Sequence, residues 1–136
     1  MPVFVRGMAQ YSQGHYAEAL PLLMQARDQW AAHTMQPPDL RFYIGDTLAR
    51  LERSAEAERF FREELSIYPS SMRARSGLAM LYASTNRPDD VERVIAEMLR
   101  ISSSPAAYRT AAQLWDMFGQ HDRAAAVRAE ARAKFK

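Results

Sequence analysis

The chain has 136 residues, a net charge of +2, and arginine at 16 of its 18 cationic positions. That length suits a single domain with its own core, and the absence of cysteine excludes disulfides and thiolate metal sites. The charge is too small to argue for a polyanionic partner such as nucleic acid, and the arginines alternate with Asp and Glu at helical spacing, as solvated helix faces do.

In chain order, Val3 to Ser12 is expected to be a helix with Val3 and Gly7 on its packing face and Gln10 completing that face. Gln13-Gly14-His15 breaks it. Tyr16 to Ala32 follows, with Ala19, Leu20, Leu23, Ala26 and Trp30 at the three- and four-residue spacing of a buried stripe. Pro21 falls just past the first turn, where it forfeits one backbone hydrogen bond. Thr34 to Pro38 stops this helix, and Asp39 is placed to cap the next, Asp39 to Leu51. Ser54 to Ile67, with a capped start at Ser54, completes a second pair that Pro69 closes. Arg73 to Ser84 and Pro88 to Ile101 make a third, carrying Leu78, Ala79 and Tyr82 on one helix and Val91, Ile95 and Met98 on the other. Pro105 to Phe118 and His121 to Phe135 make a fourth, with Ala112, Trp115, Ala124 and Val127 in its pattern. The serines at 102–104 read as a loop ending in a helix cap before Pro105.

The pairs repeat. Small residues near the start of each second helix, Ala19, Ala57, Val91 and Ala124, are separated by 38, 34 and 33 residues, the long first interval coming from the insertion at Thr34 to Pro38. Within the second pair stand Ile44-Gly45, Leu48, Ala57, Phe61 and Pro69, and the first pair has Gly14-His15-Tyr16-Ala17-Glu18-Ala19 at its inter-helix turn. On these residues the chain resembles the tetratricopeptide repeat (TPR) family, Leu48 standing where the pattern has its first aromatic. The resemblance implies an all-α, right-handed superhelix of about eight stacked antiparallel helices. Its boundaries here are a single domain over 1–136, with repeats at 1–34, 38–71, 72–104 and 105–136. Small residues such as Gly45, Ala57, Ala79 and Ala124 would let paired helices approach, with Phe61, Tyr82 and Trp115 filling the space between.

The resemblance also implies a function. In this family the first helix of each pair lines a concave groove that holds a peptide or protein segment. By alignment the groove residues are Phe4, Met8, Tyr11, Asp39, Phe42, Asp46, Arg50, Arg73, Ser76, Met80, Arg109, Gln113 and Met117. Core packing is an equal alternative for Phe42, Met80 and Met117, since a register error of one residue exchanges groove and core. The clamp by which chaperone-binding members hold a carboxylate terminus corresponds to Phe4, Met8, Tyr43, Arg73 and Gly77, and of these Arg73 alone is of the right type, which argues against that clamp.

Nothing in the sequence points to catalysis, a cofactor or a metal. His15, His33 and His121 fall in or beside turns of different repeats, no His, Asp and Glu spacing matches a metal site, and no glycine-rich turn would cradle a phosphate. No stretch approaches the roughly 20 apolar residues of a membrane span and Met1 to Tyr11 has no apolar run of signal length, so a cytoplasmic protein without a membrane partner is expected. The expected function is a scaffold binding a protein or peptide. The alternative is an assembly element that self-associates through the apolar first helix, where Val3, Phe4 and Val5 are adjacent, or a terminal segment of a longer array.

Overall fold

The structure is a computed structural model in which residues 2–136 are described. Among them are eight helices and no strand: α1 (Val3–Ser12), α2 (Tyr16–Trp30), α3 (Leu40–Arg50), α4 (Ser54–Ile67), α5 (Met72–Ser84), α6 (Pro88–Ile101), α7 (Pro105–Met117) and α8 (His121–Lys134). The bounds read from the sequence hold to within two residues. Pro21 lies inside α2 without ending it.

The four turns within the helix pairs are built alike. Gly14, Glu52, Asn86 and Gly119 each have a positive φ, between 59° and 78°. The residue after each sends its N–H to the carbonyl five positions back: His15 to Gln10, Arg53 to Leu48, Arg87 to Tyr82 and Gln120 to Trp115, at 2.8–2.9 Å. Together with the N–H of the left-handed residue bonding three positions back, this is the Schellman ending, which satisfies the last carbonyls of the first helix and reverses the chain. Each left-handed residue precedes the small residue of its repeat by five positions, so backbone and side chains share one period.

By contacts the chain divides into two compact units, one ending at Gly77 and the other running from Leu78 to Lys136. In the first, α1 packs on α2, α2 on α3, and α3 on α4. Its core holds Ala19, Leu23, Leu40, Ile44, Leu48, Ala57, Phe60 and Phe61, each at most 1% exposed. Phe61 is gripped between helices: a Cβ on Gly45 of α3 would stand 2.9 Å from its ring, and one on Gly77 of α5 only 2.7 Å away. In the second unit, α6 packs on α7 and α7 on α8, around Tyr82, Val91, Ile95, Met98, Ala112, Trp115 and Ala124.

Three expectations are corrected. Trp30 is 36% exposed, not part of the buried stripe; it lies at the last turn of α2, where its ring meets that of His33 with centroids 4.9 Å apart. Ser54 makes no side-chain cap to α4. Asp39 does not cap α3 either. It takes a left-handed backbone (φ 70°), and the amides are met from α4 by the Glu64 carboxylate, which accepts from the N–H groups of Asp39 (3.0 Å), Arg41 (3.1 Å) and Phe42 (3.3 Å). Glu64 is 1% exposed, and a buried carboxylate persists there because the positive end of the α3 dipole and three donors converge on it. Ser104 does cap α7, its Oγ accepting from the Ala107 N–H at 3.2 Å.

Candidate functional site

In the first unit the first-helix residues form a connected surface. Asp39, Tyr43, Asp46 and Arg50 recur every three or four positions and so share one face of α3, while Ile44, Gly45 and Leu48 turn inward to the core. The Tyr43 carbonyl is tied down within the helix by the Thr47 hydroxyl at 2.6 Å.

Tyr11 reaches this face from α1. Its hydroxyl donates to the Asp46 carboxylate, and the same Asp46 oxygen lies 3.6 Å from Nε of Arg50. Burial, then the Asp46 carboxylate, push the Tyr11 phenol well above its ordinary pKa, so it remains a donor throughout the neutral range. The Tyr11 ring stands edge-on to Tyr16 (centroids 5.8 Å) and to Tyr43 (5.1 Å), and the Arg50 guanidinium lies 5.3 Å from the Tyr16 centroid, within cation–π reach. Tyr43 is edge-on to Phe42 at 5.2 Å, and Phe42 rests 5.9 Å from Phe61, which anchors the row to the core. At the far end Nη1 of Arg73 donates to the Tyr43 hydroxyl at 2.7 Å and pairs with Asp39 at 3.3 Å.

The result is a continuous row, Tyr16, Tyr11, Asp46, Arg50, Tyr43, Arg73 and Asp39, contributed by α1, α2, α3 and α5. It is wet on one side: the Arg50 and Arg73 side chains are 50% and 59% exposed, whereas Asp46 is 18% exposed. Chemically it offers two guanidiniums with donors to spare, aromatic faces between them, and a geometry already locked by mutual contacts.

The aligned residues thus divide. Tyr11, Phe42, Asp46, Arg50 and Arg73 are brought together; Phe4, Met8 and Ser76 are half-buried and stand outside the network. In the second unit Met80 is 43% and Met117 63% exposed, so neither is core, and Arg109, Gln113 and Met117 form an exposed row on α7. Tyr43 and Tyr16 were missed as site residues. The spacing of Tyr43 from Asp39, Asp46 and Arg50 was a usable signal for the first; nothing local marks the second. Among the described residues no group of three or more His, Asp or Glu side chains could hold a metal ion, and no helix is long and apolar enough to cross a membrane.

No protein-family model and no curated protein matches the chain. Solved structures do. A tetratricopeptide repeat protein from Parabacteroides merdae superposes with a TM-score of 0.73 at 21% identity over 98% of this chain and 51% of its own, so the chain spans about half the length of that protein. MamA from Desulfovibrio magneticus (residues 41 to its end) gives a TM-score of 0.71 at 14% identity, covering 97% of this chain and 73% of that one. A further MamA crystal structure gives 0.70 at 14%, covering 97% and 75%. At such identities the likeness is one of fold. Joined to the four Schellman turns and the buried small residues in step with them, it shows the chain to have an all-α fold of repeated helix pairs like that of tetratricopeptide repeat proteins.

Proposed function

We propose that the chain is a protein-interaction module that holds an extended segment of another protein along its first-helix face, with Tyr11, Tyr43, Arg50 and Arg73 as principal contacts and no catalytic step. The observation that carries this reading is the locked aromatic and arginine row: large side chains that a core would bury are kept half-exposed at fixed positions. Fixing them before binding lowers the ordering cost that a partner would otherwise meet, and Tyr and Arg are the residues that carry most binding energy when an interface forms. In the second unit, taken by itself, Met80, Arg109, Gln113 and Met117 are proposed as contact residues in their own right, methionine suiting an adaptable apolar contact.

The test is affinity capture from a lysate of the source organism with the intact chain and with an Arg50→Ala/Arg73→Ala variant. Both side chains are exposed, so the variant should keep its helicity by circular dichroism. A partner retained by the intact chain and lost by the folded variant supports the reading; equal retention by both sinks it.

A second reading is favoured by α1, where Val5 is 50% exposed beside half-buried Val3 and Phe4. An exposed apolar strip on a helix suits self-association. Sedimentation over a range of concentrations decides it, a strict monomer at the highest concentration being the contrary result.

A further inference from the structure

The start of α7 and the second half of α8 line an open surface cavity of about 340 Å³ that is separate from the row described above. Three arginines line it: Arg109 from α7, and Arg128 and Arg132, one turn apart, from α8. The remaining lining is apolar, from Pro105, Tyr108, Ala131 and Phe135, with no carboxylate among them. The aromatic wall is fixed. Tyr108 is 4% exposed, its ring stands edge-on to Phe135 with centroids 5.4 Å apart, and its hydroxyl donates to Glu130 at 3.1 Å.

The three cations are not equivalent. Arg128 is engaged, its Nη2 donating to Asp116 at 2.6 Å. Arg109 and Arg132 have no hydrogen-bonding or ion-pairing partner among the described residues. Two planar forks therefore face one cavity with their donors unused, beside a wall that can take an organic group.

We propose that this cavity binds a small phosphomonoester, its phosphoryl group held between Arg109 and Arg132 and its organic group laid against Tyr108 and Phe135. Charge selects the ligand class. A phosphomonoester carries about −1.5 to −2 at neutral pH and has three acceptor oxygens, which match two unpartnered guanidiniums, whereas a monocarboxylate satisfies only one. Size agrees, since the volume lies at the small end of the range for small-molecule sites, about 300–1,000 Å³. Arg109 is shared with the α7 contacts proposed above, whereas Arg128, Arg132 and Phe135 lie on or beyond α8 and Tyr108 is buried, so loss of phosphoester binding and loss of peptide binding are separable through Arg132.

The test is a titration of the full chain with phenyl phosphate followed by amide NMR, alongside benzoate and inorganic phosphate, and repeated on an Arg109→Gln/Arg132→Gln variant. Both arginines are exposed, and an unchanged amide spectrum elsewhere would verify that the variant is folded. The expected result is perturbation of amides in the first turn of α7 and the last turns of α8. Phenyl phosphate should bind at least about ten-fold more tightly than benzoate, and the double variant should weaken it by at least about ten-fold. No perturbation of these amides, benzoate binding as tightly, or affinity unchanged in the variant would overturn the proposal. Inorganic phosphate binding as tightly as phenyl phosphate would remove the aromatic wall from the site and overturn the monoester assignment.

Discussion

Single residues settle how each helix begins and ends, and three of them make measurable predictions. Glu64, itself buried, accepts from three amides at and before the start of α3, so Glu64→Ala takes the acceptor from all three. It should cost about 2–4 kcal/mol in thermal or denaturant unfolding, with Glu64→Gln in between, since an amide oxygen can still accept but without the charge. Glu52 occupies the left-handed position that Gly14 and Gly119 take in the first and last pairs. Glu52→Gly relieves a Cβ clash while loosening the unfolded chain, and is expected to stabilise by about 0.5–1 kcal/mol; a loss of stability would contradict the shared turn geometry. Asp116 is held below the usual carboxylate range by its hydrogen bond from His121 and then by the Arg128 pair. The sign follows from the lowered folded value: the charged form is favoured in the native state, so its contribution is present above the ordinary aspartate value of about 3.9 and fades as pH falls through the lower native one. The Asp116 carboxyl carbon should therefore titrate below a free aspartate by NMR, and Arg128→Gln should move it upward.

At the scale of elements, the close approach of helices is governed by one ring. Phe61 of α4 meets Gly45 on α3 and Gly77 on α5, and a methyl at Gly45 would also come within 3.2 Å of the Ala57 carbonyl oxygen. Gly45→Ala and Ala57→Leu are each expected to cost about 1–3 kcal/mol through overpacking, read as a lowered unfolding midpoint. The terminal helix α8 is the opposite case. It buries only Ala124 and Val127, against six residues for its partner α7. Its amides should exchange with solvent faster than those of α7, and protection of α8 equal to α7 would count against this packing. The elements were also what the sequence displayed best. Helix pairs, turns and the buried residues Leu78, Tyr82, Val91, Ile95 and Met98 follow from apolar spacing and from glycine or asparagine at three of the four breaks, because both signals are local. Trp30, Asp39 and Ser54 were misread for a related reason. A bulky ring at the end of a stripe looks buried, and an Asp or Ser at a helix start looks like a cap; at α3 the Glu64 carboxylate takes that part, and α4 has no side-chain cap.

For the molecule as a whole, a repeat architecture spreads stability over neighbouring pairs, each burying a face that it could not bury alone. Charge is uneven along the chain: residues 1–68 have seven arginines against nine carboxylates, and residues 69–136 have eleven cations against seven carboxylates. Arg50 and Arg73 are consumed partly in pairs with Asp46 and Asp39, while Arg109 and Arg132 have no partner among the described residues, a distinction that no count of charges reveals. Five of the seven residues of the row, all but Tyr16 and Tyr43, were legible at groove spacing; how Tyr11 locks Asp46 and Arg73 locks Tyr43, across 35 and 30 residues, was not, because such contacts have no local signature. The Glu64 cap belongs to the same long-range class and bears on biosynthesis. Its donor and acceptor lie 22–25 residues apart, so a ribosome delivers the whole of α3 well before the carboxylate that completes it. A nascent α3 therefore begins with open amides and gains its proper start only when α4 folds back, which makes the hairpin, and not the helix, the smallest piece of this stretch that can emerge finished.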